Sequence, residues 1–367
     1  MKPSILFILH MPPPVHGAAM MGKYIHDSKL INNQFDCHYI NLATAKNLED
    51  IGNVGFEKII QIKELLSRIR KTVLDLKPSL VYVTPTAKGG AFFKDFLVVQ
   101  LLKSMRCNVV LHYHNKGVAT FMHKPLYNIL YKHFFKNVEV ILLAKALYND
   151  IQHYVSLEHV KFCPNGIPEE CTDVVTVQEE STPHILFLSN LLIDKGILVL
   201  LEACKILREK GYSFICDVVG GETADLNKDS FQTEVVRKGL SKHVFYHGRK
   251  YGKDKIEMFQ KAYLFVFPTL DETFGLVLLE AMQQGKACIA TGEGGIPDII
   301  DDGVTGYIVE KRNAQQLANK MEILLQDKDK CIAMGKAGFS KYENQFTLEK
   351  FEEKMADILS QLVSSKK

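Results

Sequence analysis

The chain has 367 residues, 45 Lys and Arg against 42 Asp and Glu, 47% hydrophobic content and 24% charged content. It is too long for one typical core, and the composition is that of a soluble globular protein built from two α/β domains. Eight cysteines at positions 37, 107, 163, 171, 204, 216, 288 and 331, with no Cys-x-x-Cys pair, exclude a zinc ribbon and a disulfide framework.

No apolar run approaches the roughly eighteen residues needed to span a bilayer. The N-terminus enters a strand rather than a signal peptide, so the expectation is a cytoplasmic protein. Charge is uneven: residues 1–170 hold 20 Lys and Arg, 13 Asp and Glu, and ten of the thirteen histidines, which leaves 25 against 29 for the remainder. A basic first half suits a phosphate-bearing acceptor or the inner face of a membrane as a peripheral contact. Nucleic acid is not expected as a partner, because no basic run is interleaved with aromatics.

Residues 4–10 (SILFILH) read as a buried strand, followed by Met11–Ala19 and a helix to about Leu30. Such a strand, turn and helix start make an anion-facing edge or an ordinary βα connection, and the dinucleotide pattern G-x-G-x-x-G is absent. Strand-like and helix-like segments then alternate: 35–42, 56–76, 80–84, 91–105, 108–113, 125–135 and 138–143. The alternation predicts a parallel sheet with helices on both faces and ligands at the carboxyl ends of its strands. His112 and His114 lie on one side of a strand end, facing a cleft or held as structural groups. Phe121–Phe135 mixes aromatics with Lys124 and Lys132, and reads either as a buried helix with a solvated side or as an acceptor or membrane-surface patch.

Residues 169–182 are polar and read as a linker. The second half opens with the strand His184–Leu188, and Lys195 follows at a helix start. A cation is badly placed there unless an anion sits beside it. Strands are expected at 214–219, 242–246, 263–267 and 287–290, and an amphipathic helix at 348–362.

The most informative stretch is Pro268–Gly306. Pro268 stops a buried strand, Asp271 and Glu272 occupy a loop, and a helix starts near Thr273, which is a plausible cap. The N–H groups of Phe274, Gly275 and Leu276 are then available to an anion. Glu272 and Glu280 flank that helix start and would accept hydrogen bonds from hydroxyls. A ligand with hydroxyls at both ends and phosphates between them is a nucleotide sugar. The alternative is a solvated face comprising Glu280, Gln283 and Gln284.

Phe274-Gly275, Glu280-Ala281-Met282, Gly294-Gly295-Ile296-Pro297-Asp298 and Asp302–Gly306 together resemble the donor-binding segment of the retaining GT-B glycosyltransferases of family 4. Cys163–Pro168 (CPNGIP) resembles that family's hinge.

The resemblance implies a GT-B fold: two Rossmann-like, doubly wound parallel-sheet domains facing across a cleft. The implied domains are 1–170 on the acceptor side, 171–345 for the nucleotide sugar, and a C-terminal helix, 346–367, crossing back to the first. It implies transfer of a hexose-type sugar from a nucleotide-diphosphate donor, with UDP the guess. The acceptor is a glycan or lipid-linked molecule, the setting surface-polysaccharide assembly, and no metal or other cofactor is expected.

Residue by residue, His114 and Glu272 would orient the donor sugar, and Glu280 would hold the ribose. Lys195 would clamp the diphosphate with the amides of Phe274, Gly275 and Leu276. Gly17 would line the cleft, although His16 stands where the family has a second glycine. The backbone after Gly248 would hold the nucleobase. Asn190 replaces the arginine that normally pairs with Lys195, and Arg249 or Lys250 is the nearest substitute cation. The sole Asp-x-Asp, Asp327-Lys328-Asp329, reads as solvated surface. Two other readings remain: a GT-B-type nucleotide-sugar epimerase, and a non-catalytic sugar-nucleotide-binding partner subunit.

Overall fold

The computed structural model describes residues 2–13, 17–42, 56–170 and 182–364, with the side chains of residues 56–58 excepted. Among these, every strand pairs parallel to its neighbours, in two six-stranded sheets that belong to two separate units, residues 1–166 with 348–367 and residues 167–347. The division falls at 166/167 and 347/348, against the expected 170 and 345.

The first unit runs β1 (Ser4–Leu9), α1 (Gly17–Asp27), α2 (Lys29–Gln34), β2 (Asp36–Asn41), α3 (Phe56–Leu76), β3 (Leu80–Val83) and α4 (Gly89–Ser104). It continues with β4 (Val109–Tyr113), α5 (Val118–Phe121), α6 (Pro125–Phe134), β5 (Glu139–Leu142), α7 (Tyr148–Ile151) and β6 (Val160–Phe162). Its sheet order is β2-β1-β3-β4-β5-β6. All of Ile5–Leu9 is buried, as a strand covered on both faces requires. The helix expected to reach Leu30 is instead broken, because the Ser28 hydroxyl accepts from Ile31 N–H and caps α2.

The second unit runs β7 (His184–Leu188), α8 (Ile197–Glu209), β8 (Ile215–Val219), α9 (Lys228–Arg237), β9 (Val244–Tyr246), α10 (Gly252–Lys261) and β10 (Leu264–Phe267). Then come α11 (Leu276–Gln283), β11 (Ala287–Thr291), α12 (Ile296–Ile299), β12 (Gly306–Val309), α13 (Ala314–Gln326) and α14 (Lys328–Gln345). Its sheet order is β12-β11-β10-β7-β8-β9. Asp327 caps α14 by accepting from Lys330 N–H.

The last helix, α15 (Leu348–Ser364), belongs to the first unit. Its apolar stripe, including Phe351, Met355, Leu359 and Leu362, packs into one buried cluster with Ile5, Phe7, Leu80 and Tyr82. The seven described cysteines are free, and Cys171 lies outside the described residues. No described helix is long and apolar enough to cross a membrane.

Candidate active site

In the second sheet the winding reverses between β7 and β10, which lie side by side although 75 residues of chain separate their ends. Loops leaving the carboxyl ends of such a pair diverge to opposite sides and leave a crevice, the usual ligand site of an open α/β sheet. Here the two loops are also tied together. The Asp194 carbonyl accepts from Leu270 N–H at 2.7 Å and Asp271 N–H at 3.2 Å. Gly196, at φ +80°, would place a Cβ 1.9 Å from the Pro268 carbonyl oxygen, so only glycine permits the approach.

This contact delivers Lys195 to Glu272. The Lys195 ammonium donates to Glu272 Oε2 and to the Asp271 carbonyl, each at 3.0 Å. The two side chains are 22% and 21% exposed, so the pair is shielded yet reachable.

The other carboxylate oxygen, Oε1, accepts from Thr273 N–H at 2.8 Å and Phe274 N–H at 3.4 Å. Two expectations change here. The cap of α11 is Gly275, in the left-handed region at φ 96°, and Thr273 caps nothing. The Phe274 amide is already engaged by Glu272, while no described acceptor takes the N–H of Gly275 or Leu276. Phe274 is 2% exposed and packs edge-on against Phe346 at 6.4 Å, so it offers the site its backbone alone. The Glu272 loop rests on Gly294, where a Cβ would lie 2.2 Å from the Glu272 carbonyl oxygen, and Gly295 N–H donates to the Thr273 carbonyl at 2.8 Å.

Glu280 lies on α11 and pairs with Lys255 of α10, Oε1 to Nζ 3.0 Å. Burial pushes its carboxyl above the ordinary range, Lys255 pulls it back, and Glu170 adds to the rise. The alternative of a solvated Glu280–Gln283–Gln284 face fails at Gln283, which is buried and donates to the Pro168 carbonyl and the Tyr342 hydroxyl. Lys255 escaped the sequence reading altogether.

Asn190 follows β7, and its side-chain oxygen accepts from Gly221 N–H at 3.0 Å, at the end of β8. Arg249, after β9, lies over the same glycine: a Cβ on Gly221 would sit 2.0 Å from Arg249 Nε. Gly221, Lys228, Tyr246, His247 and Arg249 line a cavity of about 490 Å³. Lys250 instead faces Asp254 along α10, at 3.7 Å. Behind the cavity wall, the buried Asp217 carboxylate accepts from His247 Nε2 and His184 Nδ1, both at 2.6 Å. Burial alone would raise its pKa, but the hydrogen bonds from His247 and His184 outweigh it and hold the group ionised. That triad had no sequence signal, because Asp217 sits inside an apolar strand.

In the first unit, His114 follows β4 and is half-buried, its ring centroid 4.2 Å from that of His112. His112 is fully buried, and its Nδ1 stands 2.5 Å from the Tyr82 hydroxyl. Burial, then His114, drives the His112 pKa well below the ordinary value, and burial raises that of Tyr82. The phenol therefore donates to a neutral imidazole. His112 is thus held as a structural group. Gly17 opens α1 and is exposed, and His16 lies outside the described residues.

The structure thus brings Lys195, Glu272, Phe274, Gly275 and Leu276 together, sets Glu280 with Lys255, and brings Asn190 and Arg249 each to Gly221. His114 and Gly17 belong to the other unit. Among the described residues, no group of three or more His, Cys, Asp or Glu is arranged to hold a metal ion.

Residues 172–341 match the family model for glycosyl transferases group 1. The matched residues lie within the second unit, 167–347. The chain is 33% identical over 195 residues to the capsular polysaccharide biosynthesis glycosyltransferase CapM of Staphylococcus aureus, a match spanning 50% of this chain and 49% of the relative. It is 26% identical over 340 residues to the lipopolysaccharide 1,2-N-acetylglucosaminetransferase of Salmonella typhimurium, 89% of this chain and 84% of the relative. Among solved structures, Anabaena Alr3699/HepE in complex with UDP superposes with a TM-score of 0.75 at 18% identity, over 98% of this chain and all of the other. These likenesses establish the fold as the two-domain, Rossmann-like GT-B type.

Proposed function

We propose that this chain, whose second unit matches the family model for glycosyl transferases group 1, is a retaining, metal-independent glycosyltransferase. It moves a hexose-type sugar from a nucleotide-diphosphate donor to a glycan or lipid-linked acceptor in surface-polysaccharide or glycoconjugate assembly. The observation that carries the reading is the Lys195–Glu272 pair at the winding reversal, beside the N–H groups of Gly275 and Leu276. UDP is the favoured nucleotide, supported by its presence in the HepE complex.

The diphosphate takes Lys195 and the open helix-start amides, which neutralise the leaving group as the bond to the sugar breaks. A phosphate competing for Lys195 frees Glu272 Oε2 to accept from a sugar hydroxyl, so one ion pair serves as a placeholder for two ligand contacts. Glu280 accepts from the ribose hydroxyls, held in place by Lys255. His114 of the first unit donates a hydrogen bond to a sugar hydroxyl. Arg249, which like Asn190 borders Gly221, supplies the cation that position 190 lacks. The acceptor hydroxyl attacks from the side the leaving group departs, a phosphate oxygen taking its proton.

The test is a panel of labelled UDP-, GDP- and TDP-sugars with and without acceptor. Acceptor-dependent release of nucleotide, with the anomeric configuration kept in the product by NMR, is the expected result. An inverted product removes retention, an altered free donor points to an epimerase, and binding without turnover points to a partner subunit.

A further inference from the structure

From Leu76 to Val138 the chain carries nine Lys and Arg and a single carboxylate, Asp95, which is fully buried. This stretch builds α4, α5 and α6 of the first unit. Phe92 joins α4 to α6 by stacking on Tyr127 at 5.6 Å and meeting Tyr131 at 4.9 Å, and Phe93 meets Tyr127 at 5.5 Å.

The same helices show apolar side chains to water: Phe93 (39% exposed), at the margin of this seam, and Leu97 (47%) on α4, Leu126 (57%) and Ile129 (56%) on α6. Spacings of four and three put each pair on one helix face. Exposed Lys88, His123, Lys124, Lys132, His133 and Lys136 come from the same stretch. Lys124 lies 4.2 Å over the Phe121 ring. The neighbouring acidic group, Asp150 of α7, is occupied by the N–H groups of Gly117, Val118 and Ala119.

We propose that the α4–α6 face of the first unit docks on the surface of an anionic phospholipid bilayer. Isolated exposed leucines need no explanation. Four large apolar side chains on two packed helices, amid cations and without one exposed carboxylate, are what a headgroup boundary accommodates: apolar faces enter the interface while ammonium groups meet lipid phosphates. A second copy of the chain is disfavoured as occupant, because a two-fold interface would set this cationic face against itself. The inference is independent of the transfer reaction, since it rests on neither donor nor acceptor.

The test is sedimentation of the full chain with vesicles of phosphatidylglycerol and phosphatidylcholine, and with phosphatidylcholine alone. Binding to the anionic vesicles, weak binding to the neutral ones and loss at high salt are expected. Lys124→Ala and Lys132→Ala should each weaken binding roughly fivefold, at ~1 kcal/mol per cation near the surface. Leu126→Glu with Ile129→Glu should abolish it while nucleotide binding by the same variant, the check on its fold, stays unchanged. Failure of the parent chain to sediment with anionic vesicles overturns the proposal. So does equal binding by the variants, or a self-associated chain that Leu126→Glu splits without any vesicle binding.

Discussion

Lys195 and Glu272 meet at 3.0 Å, each on a loop that leaves one of the two adjacent strands at which the second sheet reverses its winding. The sheet therefore assembles a cation and an anion 77 residues apart in sequence. Being partly exposed, the pair adds little to stability. On the proposed reading, its weight falls on the ligand that exchanges with it.

Lys195→Ala is expected to raise the dissociation constant for nucleoside diphosphate about 10- to 100-fold, the worth of one charge-assisted hydrogen bond. Isothermal titration measures it, and an unchanged constant would remove the clamp.

Glu272→Ala should lower kcat by roughly a hundredfold or more, with the far-ultraviolet circular dichroism intact. Glu272→Gln keeps an oxygen for the Thr273 amide but loses the charge facing Lys195, so it should fall between. Near-normal turnover in both would take Glu272 out of the reaction.

The raised pKa of Glu280 gives a pH test. A carboxyl that binds its proton more tightly when folded stabilises the protein below its ordinary range, and that contribution is lost as pH rises through the folded value. Relative to the parent, Glu280→Gln should gain thermal stability as pH climbs from about 4 to 7. Lys255→Met, which strips the compensating charge, should lose stability over the same window. Parallel melting curves across that range would refute the assignment.

Arg249→Ala should weaken nucleotide binding about tenfold, and Asn190→Arg in the same chain should restore it. Rescue is the decisive outcome, since a merely structural Arg249 would gain nothing from a new guanidinium after β7.

Gly294→Ala should cost about 2 kcal/mol or more, because the new methyl meets the Glu272 carbonyl at a positive φ. Its kcat should fall too, as the loop carrying Glu272 is displaced. A melting temperature and a rate measured on one preparation decide both.

Much of this architecture was legible in the residues. Strands covered on both faces read as unbroken apolar runs, so β1, β7 and β10 were visible, and Pro268 marked where the last of them stops. What spacing could not reveal was pairing across the sheet. Lys255 lies 25 residues before Glu280 on a helix with no motif of its own. Asp217 looks like one polar residue in a strand until β8, lying between β7 and β9, carries its carboxylate to the His184 and His247 rings. Arg249 acquires a place only once β8 and β9 are known to be neighbours, which puts it over Gly221. Thr273 has the chemistry of a cap, but the left-handed Gly275 starts the helix two residues later and the Glu272 carboxylate takes the nearby amides. The polar face expected around Gln283 is half core, because its amide is buried by Pro168 and Tyr342 from distant parts of the chain.

The placement of α15 has a consequence for how the molecule is made. The second unit is one continuous stretch, 167–347, and its two ends are joined by a bridge between Ile167 and Thr347. The first unit is split in sequence, and its buried cluster lacks Phe351, Met355 and Leu359 until translation has passed residue 347. On the ribosome the lobe synthesised later can mature first, while the earlier one waits with its apolar flank uncovered for the closing helix.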